Sequence, residues 1–176
     1  MYSSAPFLID LKGLHEGVTR LTFKVDDAFF EALEDSEIRR GDLDVALSVT
    51  RRGDMFELDF HIGGQITIPC DLCLDDMPLD VVSDNRLVAK FGEESAEEDD
   101  LVTVSEDEGI LDVAWFVYES IVLSIPIRHV HAPGKCNPAT MKVLEEHSAA
   151  RSGAGDGEQP VDDRWAALLK IKKSNL

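Results

Sequence analysis

Three thiols and two histidines fall into two clusters, and they are the side chains in this chain best suited to chemistry. Cys70 and Cys73 stand three apart in Ile68-Pro69-Cys70-Asp71-Leu72-Cys73-Leu74. Cys136 follows much later in His129-Val130-His131-Ala132-Pro133-Gly134-Lys135-Cys136. A tetrahedral zinc ion takes four sulfur or nitrogen donors, often a Cys-x2-Cys knuckle joined by a second pair. Cys70 and Cys73 supply the knuckle, and Cys136 with His131, or less favourably His129, supplies the second pair. The same dithiol permits redox chemistry, which needs a thiol whose pKa is lowered at a helix N-terminus. Here Asp75, Asp76 and Pro78 follow, and acidic neighbours push a thiol the other way. A third reading is plain packing: Cys70 continues the parity of Ile66 and Ile68, so it can point inward as a small hydrophobe.

The elements that must position these groups are mostly strands. Phe7 to Leu11 is a short apolar run, and Leu21, Phe23 and Val25 alternate with Arg20, Thr22 and Lys24, the period-2 pattern of a strand with one wet face. Asp26-Asp27 marks the start of a brief helix holding Phe29, Phe30 and Leu33. Leu43, Val45, Leu47 and Val49 alternate in the next strand, and Arg51-Arg52-Gly53-Asp54 reads as a turn into Phe56, Leu58, Phe60 and Ile62. Gly63-Gly64 suits a two-residue hairpin loop before a further strand, Gln65 to Ile68. Leu79 to Phe91 reads as a long strand. Val113 to Leu123, with Asp112 as its cap, reads as a helix apolar nearly all round, hence buried, with Trp115 and Phe116 in the core. The fold class expected is α+β: an antiparallel meander forming a curved sheet or partial barrel, one buried helix, and a short C-terminal helix.

The chain divides into a domain over 1–147, a flexible Ser/Ala/Gly/acidic linker over 148–161 and a last helix over 162–176. Residues 93–108 carry nine acidic and no basic side chains, which predicts a mobile loop with a possible short strand at Leu101 to Val104. The net charge of −18 opposes nucleic acid binding, because phosphate contacts rest on Lys and Arg, and it favours a basic protein partner. No stretch is long and apolar enough to span a membrane, and the N-terminus shows no secretory pattern. With an odd number of cysteines, that predicts a cytoplasmic protein. No phosphate loop, His-Glu-x-x-His helix or Gly-x-Ser-x-Gly elbow occurs, so no active site can be read.

Several segments together resemble the YceD family, the large ribosomal RNA subunit accumulation proteins. They are Gly64-Gln65-Ile66-Thr67-Ile68-Pro69-Cys70-Asp71-Leu72-Cys73-Leu74; Leu111-Asp112-Val113 leading to Tyr118 through Ile127; His131 and Cys136; and Asp163-Arg164-Trp165-Ala166-Ala167-Leu168-Leu169. Leu72 stands where many members have arginine, and Asp163 where proline is common. The resemblance implies a non-enzymatic role in synthesis, processing or stability of large-subunit (23S) ribosomal RNA, working with a small basic ribosomal protein or a precursor particle. Zinc at Cys70, Cys73, His131 and Cys136 would then be a structural cofactor. The expected partner contacts are Glu97, Glu98, Asp99 and Asp100 in the acidic stretch and Arg164 and Trp165 in the last helix. The alternative is a zinc-dependent or thiol enzyme at the same four residues, with Asp71 or His129 as acid or base.

Overall fold

The computed structural model describes residues 5–33, 37–92, 96–98 and 101–147. A short 3-10 turn leads into β1 (Leu8–Asp10), followed by β2 (Gly17–Val25), α1 (Asp27–Glu31), β3 (Arg40–Arg52), β4 (Met55–Pro69) and β5 (Asp76–Gly92). Then come β6 (Ala96–Glu98), β7 (Leu101–Ser105), β8 (Ile110–Asp112), α2 (Ala114–Ser124) and α3 (Pro138–His147). Strands β2 to β5 form an antiparallel meander, extended by β7 parallel to β5 and then by β6, with β1 and β8 paired as a separate ribbon. The α+β expectation holds. Among the described residues the sheet is open, with β2 and β6 at its edges.

Alternation explains why one face is dry. Leu43, Val45, Leu47 and Val49 of β3 and Phe56, Leu58, Phe60 and Ile62 of β4 are all buried, and their polar neighbours face out. The opposite face is wet and carries ion pairs such as Arg86 to Asp59 at 2.8 Å and Lys24 to Asp44 at 3.1 Å. Over the dry face lie Phe7, Ile9 and Leu11, the α1 side chains Phe29 and Phe30, and α2. Helix α1 is capped as expected: Asp26 accepts from the Phe29 amide at 3.3 Å.

Four expectations need correction. The glycine pair Gly63-Gly64 makes no hairpin, because β4 runs straight through it, pairing Gly64 with Leu43 on one side and Val81 on the other. A Cβ at Gly64 would collide with the Asp42 carbonyl oxygen, so glycine serves close strand approach here rather than a turn. In the acidic stretch the expected short strand at Leu101 to Val104 is present as β7, with Val102 and Val104 buried against the core; what was not expected is the further strand β6 that pairs with it. Helix α2 is buried along one stripe only. Ala114, Val117 and Ile121 face inward, whereas Trp115 is 58% exposed and Phe116 half-buried, so aspartate at Trp115 should leave the fold intact. A helix apolar on every side gives no pattern from which its inner face can be read. Finally, Asp112 is not the helix cap residue, which is Val113, although its carboxylate accepts from the Ala114 amide at 2.9 Å.

Candidate metal centre

The cysteine knuckle is the turn between the two longest strands. Residues 70–75 join β4 to β5, with the Cys70 amide donating to Asp75 O at 2.9 Å and the Leu74 amide donating back to Cys70 O at 2.9 Å. Leu74 adopts φ 62°, a left-handed conformation that tightens the loop. The second half of the site comes from the irregular chain between α2 and α3, which Pro126 begins by ending helical geometry.

Two polar ties hold that segment against the knuckle. The Asp71 amide donates to His129 O at 3.0 Å, and the His129 amide donates to Asp71 Oδ2 at 2.7 Å. His129 Nε2 lies 3.3 Å from Asp71 Oδ1, and its Nδ1 3.2 Å from Pro126 O. Asn137 then links the next element: its amide donates to Asp75 at 3.0 Å, and its side-chain oxygen accepts from Ala139 at 3.0 Å to start α3. Sequence reading missed both ties, and it missed α3 altogether. Partners 58 and 62 residues apart leave no local signal.

With the segment so placed, Cys70, Cys73, His131 and Cys136 converge, and one donor atom from each lies within 4.8 Å of the others. Cys70 Sγ and Cys136 Sγ are 3.9 Å apart, and Cys73 Sγ and His131 Nδ1 are 3.3 Å apart. Sulfurs bonded to one another would be at about 2.05 Å. Sulfurs at the corners of a zinc tetrahedron with ~2.3 Å bonds would be roughly 3.8 Å apart. The observed spacing therefore fits a shared ion, and this Cys3His cluster could hold a metal. Cys70 and Cys73 are also buried in the core, so the packing reading and the ligand reading both describe them.

The electrostatics prepare one thiolate. Burial pushes the Cys70 thiol up, but backbone N–H groups of Cys73, His131 and Leu72, with the His131 side chain, bring it down to about 6. The His131 amide is one of these, at 3.5 Å. Cys136 goes the other way: burial, then its neighbours Cys70 and Cys73, hold it up at about 11. Anions this close repel, so a second thiolate waits for a cation. His129 is excluded from the donor set by its engagement with Asp71 and Pro126.

Of the expected partner contacts, only Glu97 and Glu98 fall among the described residues. Glu97 and Glu98 lie on β6, paired with Val102 and Leu101 of β7. Asp99, Asp100, Arg164 and Trp165, together with the expected linker over 148–161 and the expected helix over 162–176, lie outside the described residues.

A model of the YceD family, described as large ribosomal RNA subunit accumulation protein YceD, matches residues 58–172. That range begins within β4 and takes in every candidate metal ligand. No curated protein and no solved structure matches the chain.

Proposed function

The chain belongs to the YceD family of large ribosomal RNA subunit accumulation proteins, and on that basis we propose that it is a non-enzymatic factor supporting large-subunit ribosomal RNA in the cytoplasm. The family match carries this reading. The net charge of −18 adds that its direct client is cationic, a basic ribosomal protein or a precursor particle displaying one, because RNA phosphates are repelled by such a surface. The acidic Glu97 to Asp100 run and the Arg164-Trp165 pair are the contacts proposed for it.

Zinc is the proposed resident ion, held by Cys70, Cys73, His131 and Cys136. A four-donor protein set fills a tetrahedral ion and is the pattern of structural sites, whereas catalytic sites keep one position open. The neighbouring groups that an enzyme would use, Asp71 and His129, bind each other. The ion would supply a cross-link, clamping the β4–β5 turn to the segment that follows α2. No helix among the described residues is long and apolar enough to cross a membrane.

Two measurements test this. Pull-down of the full chain from lysate should recover large-subunit components, with recovery falling as salt rises toward ~1 M, where screening acts within about 3 Å. Recovery of no ribosomal component would sink the role, and salt-independent recovery would sink the charge mechanism. Elemental analysis should find one equivalent of zinc, undisturbed by small added ligands. Finding none would remove the metal from the account.

A further inference from the structure

The outward side of α2 is an apolar surface on an acidic protein. Glu119 is the one charged residue between Ala114 and Ser124. Around it, Trp115 is 58% exposed and Leu123 78%, and Ile127 beyond the helix end is fully exposed. The Trp115 and Tyr118 rings pack at 5.4 Å between centroids with a 45° tilt, along the stripe Trp115, Tyr118, Val122. Exposed apolar surface of this kind marks an interaction site rather than a solvated face.

We propose that this surface is covered by the C-terminal segment of the same chain, Arg164 to Ile171. Three observations choose this occupant. First, the segment has matching chemistry: Trp165, Leu168 and Leu169 recur at helical spacing, giving one apolar stripe to lay along another. Second, charge selects it. From Arg164 to Leu176 there are four basic and no acidic side chains, opposite in sign to the chain's net −18, and Arg164 adjoins the tryptophan that would approach Glu119. A second copy of the chain would bring −18 against −18.

Third, the tether reaches. Helix α3 starts one residue after Asn137, at the cysteine corner onto which α2 also leads, and its ten residues span about 15 Å. From His147 to Arg164 the intervening sixteen residues extend to at most ~55 Å, and as a flexible coil average roughly 20–24 Å. A tether of that length lets the segment return to the domain it leaves, at the raised effective concentration of an intramolecular partner. Docked in this way, Trp165 is engaged with α2, which leaves the acidic Glu97 to Asp100 run as the client contact proposed above; the inference does not depend on zinc.

The chain has two tryptophans, one on each side of the proposed contact, which makes the test direct. In the full chain carrying Trp165→Phe, acrylamide quenching reads Trp115 alone. Adding Leu168→Asp and Leu169→Asp should raise the quenching constant severalfold. In the reciprocal background, Trp115→Phe, the reporter is Trp165, and Leu123→Asp on α2 should raise its quenching in the same way. Circular dichroism and the urea midpoint confirm that each variant is folded. Quenching unchanged in both backgrounds overturns the proposal. So does a change that appears only with rising protein concentration and a dimer mass in sedimentation, since a second copy would then be the occupant.

Discussion

The meander and the cysteine corner are held by different forces. Between β3 and β4, thirteen consecutive residue pairs share one register, and inward side chains from Leu43 to Val49 and Phe56 to Ile62 are sealed from water. Polar links there are an outer layer between exposed groups, and such ion pairs contribute little. In the segment 126–137 the proportions reverse. Val130 and Cys136 are only partly buried, and geometry comes from Asp71, His129 and Asn137 and from the four converging donors. One region is built by burial, the other by cross-linking.

That contrast orders the expected effects. Phe56→Ala, in a fully buried position, should cost about 3–5 kcal/mol, read as a lower urea midpoint. A cost below ~1 kcal/mol would show that the sheet is not burial-driven. Cys136→Ser, or chelation of the unmodified protein, should instead speed amide exchange across 126–147 while leaving β3 to β5 protected; uniform loss of protection would mean that the corner and the sheet fold as one unit. Asp71→Ala should cost about 1–2 kcal/mol, because it leaves the His129 amide without its partner. Arg86→Ala on the wet face of the sheet should leave the urea midpoint nearly unchanged, because solvent screens an exposed ion pair. Equal costs for these last two would erase the distinction.

Acidity sharpens the same point in metal-free protein. Cys70, lowered to about 6 from an ordinary 9.0, favours the fold above 9.0, and that contribution fades as pH falls through 6. Cys136, raised to about 11, favours the fold below 9.0, and its contribution is lost as pH rises toward 11. Stability of the metal-free corner should therefore peak near pH 9, followed by amide exchange in residues 126–137. A peak at pH 6 or lower would contradict the placement of the three N–H groups around Cys70.

The meander was legible because alternation is a local property: β3, most of β4 and the far half of β5 follow from side-chain order alone. Gly63-Gly64 misled because local turn chemistry and close strand approach call for the same residue, and only pairing with Leu43 tells them apart. Helix α2 was found without its orientation, since Trp115 and Val117 look alike when every side is apolar. The donor set was readable as residue types. His131 already ranked ahead of His129 on spacing, and in three dimensions His131 lies among the three thiols while His129 pairs with Asp71.

The order in which the donors leave the ribosome has its own consequence. Cys70 precedes Cys136 by 66 residues, so at roughly 5–20 residues per second the first two thiols emerge about 3–13 s before the last. A metal shared by all four donors would lack half its ligands during that interval, with the two thiols open to oxidants. A nascent chain truncated before His131 would carry only the Cys70–Cys73 half of the donor set.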